Sequence, residues 1–566
     1  MVLAVGLLTF NCSDYVDVDS DTDNPKLAPL NYLLTDTQVK LARVGDFNSN
    51  GGSQFATYSH SMTSREEDDQ YGIKVDNIPM RNDWDDIYLN LNNINSLILQ
   101  GTSSGNMVYV GIAQLEKAYL MSVAVDIWGD VPYTAATNLT GGVATPAFDD
   151  QKAIYKSIFL LIDNAKINIA SNSGTLKPKT DDLFYGGSTS KWVKFANTLK
   201  LKLYNQTNLV TTGFDQAGFT ALIAENNFFT SNADDFQFNH YNAISPSNER
   251  NRLYRESYES TQFGSYQSPW LYEILKGVNP NIHAGNPDPR LPYYIYNQIK
   301  LNVLPPDTTV GTNPNADYWD KSTGFFSIRF GSTGPNRDKS AENSYSYPGI
   351  FPCGGKYDDS KGGVVNGESG AKGIAPRRIL TYDEFLYIQA ELILVGKLTT
   401  EGTAVAKLQQ AITASFAKVD QVVVDSKTSQ TLPAVPPATI GLPIPKLTGS
   451  TAATTFINKV VTEFNSASAA KKMEILMTQK WVATFGDPLD QYNDYRRTGY
   501  PVLANPNGAS PEYQLNNADG FPLIDSQTVL LGAYQISLFW PQSELNANTN
   551  APRQKDPTTY KIFWDN

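Results

Sequence analysis

Residues 77–100 read NIPMRNDWDDIYLNLNNINSLILQ. Trp84, Ile87, Leu91, Ile94, Leu97 and Ile98 recur at three- and four-residue steps, the period of a helix that buries one stripe and solvates the rest. The same period continues downstream. Val108, Ile112, Leu115, Tyr119 and Val123 form a second stripe behind Asn106, a candidate cap, and Gly129 with Pro132 ends it. Asp149 or Asp150 can cap a third helix, with Ile154, Ile158, Leu161, Ile162 and Ala165 inward, and residues 191–206 make a fourth around Trp192, Phe195, Leu199 and Leu203. After a long interruption helices resume over 382–395, 401–418, 452–464 and 469–485, with a Pro- and Thr-rich insertion at 426–449. Four pairs of similar length point to stacked helical hairpins, although no repeat consensus is legible.

The interruption, residues 239–376, has little period and is rich in Gly, Pro, Asn, Ser and Tyr. Its many aromatic residues set it apart from disordered chain. A stretch of this length without elements fits an ordered, elaborated surface that carries a binding site.

Composition narrows the function. The chain has 566 residues, 41% of them hydrophobic, and a net charge of −12. That charge excludes a basic face for nucleic acid or anionic lipid. Charged residues are 18%, with polarity carried by amides, hydroxyls and 31 Tyr, a surface suited to neutral polar ligands. Cys12 and Cys353 are the two cysteines, too far apart to suggest a disulfide framework, and Cys353 reads as a free thiol in a loop.

Residues 2–10 are an apolar run too short to span a bilayer, which takes about 20 residues. Cys12 follows, then an acidic tract. The arrangement looks like a bacterial lipoprotein signal over 1–11, with Cys12 acylated and 12–27 as a self-repelling tether. No basic residue precedes the run, and Asn11 stands where a small residue is usual. Asp17, Asp19, Asp21 and Asp23 alternate like the start of a calcium loop. Thr22 and Ala28, however, replace its required Gly and Glu, so no metal is expected.

Four segments resemble the SusD/RagB family of outer-membrane nutrient-binding lipoproteins, in order and spacing, from about residue 30 onward. They are Asp126-Ile-Trp-Gly-Asp-Val-Pro-Tyr-Thr-Ala-Ala136; Asp182-Leu-Phe-Tyr-Gly-Gly187 with Lys191 to Leu201; Phe385-Leu-Tyr-Ile-Gln-Ala-Glu391; and Gln479 to Gly486 running into Tyr492 to Pro501. Read as residues, these have scaffold roles. Gly129 and Pro132 stop a helix, Asp126 and Asp130 can bond turn amides, and Arg496 and Arg497 can fork onto carboxylates or helix-end carbonyls.

The resemblance implies a mainly helical fold with four TPR-like helix pairs. It also implies lipid-anchored display on the outer face of the outer membrane, and a TonB-dependent β-barrel partner of the SusC type that the lipoprotein caps as a lid. Oligosaccharide is the ligand class it implies first, with oligopeptide also known. Residues 28–566 then form one SusD-like domain, with its scaffold at 77–210 and 377–500 and a ligand-binding region at 239–376.

No enzyme is expected. His60, His240 and His283 are the only histidines, none with a zinc partner at i+4. No nucleophile elbow or phosphate loop is present. A carboxylate pair for glycoside hydrolysis is the remaining catalytic alternative, and Asp68 with Asp69 are adjacent rather than facing. A structural or adhesive surface lipoprotein is the other alternative. Sugars lay their C–H faces on aromatic rings beside amides and charges, and the loop 64–71 and the aromatic block offer that mixture. Arg65, Tyr71, Trp270, Tyr318 and Trp319 are therefore the candidate ligand contacts, with no cofactor.

Overall fold

The computed structural model describes residues 28–65, 67–138, 141–210, 214–260, 264–305, 317–333, 343–426, 444–504 and 529–565. Residues 1–27, with the expected signal segment, Cys12 and expected acidic tether, lie outside the described residues, as does most of the 426–449 insertion.

Chain order begins with α1 (Leu30–Leu41), α2 (Gly52–Tyr58), α3 (Ile78–Ser103), α4 (Met107–Trp128), α5 (Gln151–Ser171), α6 (Thr189–Gln206) and α7 (Gln216–Glu225). The described residues of the middle hold short helices: α8 (Arg252–Tyr258), α9 (Pro269–Lys276), α10 (Leu291–Tyr294) and α11 (Ile350–Cys353). Then come α12 (Tyr382–Leu394), α13 (Ala404–Asp425), α14 (Thr451–Ser466), α15 (Ala469–Ala483), α16 (Pro488–Thr498) and α17 (Gln542–Ala547). The eight periodic stretches in the sequence are α3 to α6 and α12 to α15, and each pair packs as a hairpin.

The pairs form for local reasons. The Asn77 side chain accepts from the Met80 amide to start α3, and Asp150 accepts from Ala153 to start α5. Asn106, expected to cap α4, does not. Its amide bonds Ser104 and its carbonyl oxygen accepts from the Leu176 amide, so it ties the hairpin turn to the chain beyond α5. Gly129 ends α4 at φ +76°, and a Cβ there would come within 2.6 Å of the Tyr560 ring. On α4, Gly111 lies flat against α5. A Cβ on it would stand 2.7 Å from the Ala165 carbonyl oxygen, so glycine sets the closeness of that helix pair.

The described residues of the middle are not structureless. Among the described residues, four antiparallel two-stranded ribbons lie within it or at its borders. β1 (Met62–Ser64) pairs with β3 (Ser265–Gln267), and β2 (Phe236–Phe238) with β8 (Arg377–Leu380). β4 (Ile295–Tyr296) pairs with β7 (Tyr347–Pro348), and β5 (Asp317–Asp320) with β6 (Phe325–Ile328). Cys353 is not in an open loop: it ends α11, fully buried, its thiol 3.4 Å from the Gly349 carbonyl oxygen.

A buried ionic web joins the two helical halves. Arg497 forks onto Glu391 and reaches Asp494 at 2.9 Å. Lys480 pairs with Asp494 at 2.7 Å, and Lys418 with Asp383 at the same distance. Lys202 on α6 bridges to Glu384 at 3.3 Å and to Asp490. Asn205 and Asn208 complete Glu391, donating at 2.9 and 3.0 Å. Each charge has partners close by, the condition under which burying charge is tolerated.

Asp126 is a second hub. It was expected to bond turn amides; instead it accepts from Tyr155 (2.5 Å), Trp564 (2.9 Å) and Asn493 (3.3 Å), because α4 carries it into the core. Arg496 donates to the Asp126 carbonyl oxygen at 2.6 Å near the end of α4. Asp130 does bond an amide, that of Gln151, at 3.0 Å.

Candidate ligand-binding surface

The β1–β3 ribbon and the β5–β6 ribbon meet edge to edge. Ser327 donates to the Gln267 carbonyl oxygen at 2.6 Å, and the Arg65 amide bonds Gly264 beside it at 3.0 Å. This brings the loop after β1 next to the chain after β6. Asp69 is fully buried and accepts from the Gly331 amide at 3.0 Å, while Asp68 takes the Gln54 side chain at 3.1 Å. The two carboxylates thus anchor the loop in different directions.

Tyr71 sits at the loop's end with φ +58°, a backbone state that a bulky residue adopts only when its surroundings hold it there. Its ring packs edge-on against Tyr58 (5.4 Å) and Tyr534 (5.3 Å) and lies 5.6 Å from Phe330. Its hydroxyl lies 2.9 Å from His60 Nε2, and His60 stacks on Phe330 at 3.7 Å. Burial pushes the His60 imidazole down to about 3, so the ring is neutral. Burial likewise raises the Tyr71 hydroxyl, which stays protonated. Residues 531 and 532 strap across this point, both amides bonding the Gln70 carbonyl oxygen.

Tyr58, Tyr492 and His60 are buried beneath; Tyr71, Tyr534 and Tyr495 each keep part of their surface open. Tyr495 lies 5.0 Å from Tyr534. The Tyr534 hydroxyl donates inward to the Tyr58 carbonyl oxygen at 3.2 Å. With the hydroxyls of Tyr71 and Tyr534 engaged inward, ring surface is what these two leave for a ligand. Half-buried Arg65 and Asp68 flank them on the same loop.

The five residues chosen from sequence divide. Arg65 and Tyr71 are half-buried on the early loop, and Trp319 is half-buried on β5 with an indole N–H that has no partner among the described residues. Tyr318, one position earlier, points the other way. It is fully buried, donates to Glu273 at 2.8 Å and lies under the Arg329 guanidinium. Trp270 is also an anchor, 3% exposed, with its N–H on the Val502 carbonyl oxygen at 3.0 Å and one edge on a cavity of about 160 Å³. Tyr318 and Trp270, expected as ligand contacts, are thus buried, since large aromatics in a loop-rich block fill its core first. Tyr495, Tyr534 and Phe330 were missed. Tyr495 lies inside a segment read as scaffold, and no local pattern places residue 534 beside residue 71.

The family model for SusD-like proteins, described as starch-binding and associating with the outer membrane, matches residues 22–517. This chain belongs to the SusD-like family. Solved structures agree on the fold. A chitin-binding protein superposes with a TM-score of 0.65 at 21% identity, over 95% of this chain and 100% of that one. A SusD homologue from Bacteroides fragilis gives 0.63 at 16% identity, over 92% and 94%. A chitin-binding SusD homologue from Flavobacterium johnsoniae gives 0.62 at 19%, over 94% and 98%. No curated protein matches the chain.

Three of the four SusD-like segments seen in the sequence are bonded to one another. Asp126 of the first meets Asn493 and Arg496 of the fourth, and Glu391 of the third meets Arg497 of the fourth. Within the second, the Trp192 indole donates to Asp182 at 2.8 Å. Their scaffold reading therefore stands. No helix among the described residues is long and apolar enough to cross a membrane.

Proposed function

We propose that this SusD-like protein is a cell-surface binding lipoprotein that captures oligosaccharide on the ledge formed by Tyr71, Tyr495 and Tyr534. It delivers the ligand, as a lid, to a SusC-like TonB-dependent barrel. Acylated Cys12 anchors it to the outer membrane, facing outward, and it performs no catalytic step. The ledge is the observation that carries this reading: three partly open tyrosine rings on a rigid base, flanked by Arg65 and Asp68, suit the C–H face of a sugar and its hydroxyls. Trp319 and Arg65 are further proposed contacts. The family description and the chitin-binding neighbours support carbohydrate over peptide as the ligand.

Calorimetric titration with soluble chito- and malto-oligosaccharides tests the reading. One series binds saturably to the wild type. Tyr71→Ala and Tyr534→Ala each weaken it about three- to tenfold, the worth of one aromatic contact. Trp270→Phe leaves affinity unchanged. Failure of every neutral glycan to bind the folded protein would overturn the proposal, as would full affinity in both tyrosine variants. Extraction from outer membranes with a large barrel still attached tests the delivery step.

A further inference from the structure

A cavity lined by none of the ledge residues lies in the N-terminal scaffold. Lys152, Tyr155, Lys156 and Phe159 are spaced at three- and four-residue steps, so α5 presents all four on one face. Tyr204 on α6, Phe214 before α7 and Phe563 close the other sides around a cavity of about 440 Å³. The walls are aromatic and well braced: Phe159 lies 4.6 Å from Tyr204, Tyr204 5.6 Å from Phe214, and Tyr155 4.9 Å from Phe563. The volume is in the range of small-molecule sites, roughly 300–1,000 Å³.

The polar groups of these walls are largely spent. The Tyr155 hydroxyl is committed to Asp126, and the Tyr204 hydroxyl donates to Asp215 at 3.2 Å. Asp215 also caps α7, and the Thr207 hydroxyl bonds the Leu203 carbonyl oxygen behind it. Few hydroxyls or amides are therefore free on these walls. Lys152 and Lys156 are the exception. Both are exposed on the rim, one helical turn apart, with no hydrogen-bond or ion-pair partner among the described residues. Lys397 adds a third ammonium, 4.3 Å from the Phe214 ring centre. Three ammonium groups against the one carboxylate in the lining, Asp215, give this aromatic pit a local positive excess in a chain of net charge −12.

We propose that this cavity is a second binding site, for an amphipathic anion: a flat aromatic or acyl body that enters between Phe159 and Phe214, with a carboxylate or sulfonate held by Lys152 and Lys156. Apolar walls supply affinity and the ammonium pair supplies sign and orientation. A cation is repelled by the same pair.

The test uses 1-anilinonaphthalene-8-sulfonate, an aromatic sulfonate whose fluorescence rises on entering an apolar site. The wild type binds it with one saturable, enhancing site. Lys152→Glu with Lys156→Glu, both on exposed positions, weakens binding about tenfold at low salt, and the difference shrinks at molar salt, where charges are screened within about 3 Å. Val210→Trp fills the cavity and abolishes binding while the thermal midpoint holds. Oligosaccharide affinity is unchanged in both variants. Absence of saturable binding to the wild type, or equal binding in both variants, would overturn the proposal.

Discussion

Glu116 is 1% exposed on α4, beside α1. Burial lifts its carboxyl from the ordinary range to about 8, so the folded protein holds a proton there that the unfolded chain releases above about 4.5. Between those values the folded state binds more protons, and stability from this group falls as pH rises. Glu116→Gln is expected to match the wild type near pH 4 and exceed it by on the order of 2–4 kcal/mol at pH 8. Urea melts at the two pH values check this; a constant difference would refute it. The residue scale is also where sequence reading divided. The forks of Arg496 and Arg497 were legible because guanidinium chemistry admits few partners. Tyr318 against Trp319 was not, because adjacent strand residues face opposite sides and a four-residue strand offers no alternation long enough to tell which side is core.

At the scale of elements, the helices were legible and the ribbons were not. α3 to α6 and α12 to α15 each carry enough turns for the apolar stripe to declare itself, and the predicted bounds depart from the observed ones mostly at the ends. α13 is the largest departure, running to Asp425 rather than 418, since Val419, Val422 and Val423 extend its buried face. The ribbons are two to four residues long, and apart from β5–β6, a hairpin across residues 321–324, they pair distant stretches, as Thr63 with Tyr266, with no tight turn to announce them. Gly111 has no signature beyond its lack of a side chain, yet it sets the α4–α5 distance. Gly111→Ala puts a methyl group against the Ala165 carbonyl and is expected to cost about 1–3 kcal/mol, despite the better helix propensity of alanine. Thermal unfolding measures it, and a stabilised variant would show that the helices part without penalty.

Across the whole molecule, the ionic web is what makes two helical halves one body. Asn205 and Asn208 from the first half, and Arg497 from near the end of the second, all converge on Glu391. Glu391→Gln leaves the buried Arg497 charge with less compensation and is expected to cost about 3–5 kcal/mol, nearly independent of salt because the pair is screened by protein rather than solvent. Chemical denaturation at low and high salt tests both statements. The location of the candidate ledge has the same long-range origin: Tyr71, Tyr495 and Tyr534 meet only when the chain's early loop and late strap are both in place, which is why no single segment revealed it. The Trp564 indole on Asp126 spans a separation of 438 residues. During synthesis, therefore, the carboxylate at the end of α4 gains its indole donor only after 438 further residues have been added.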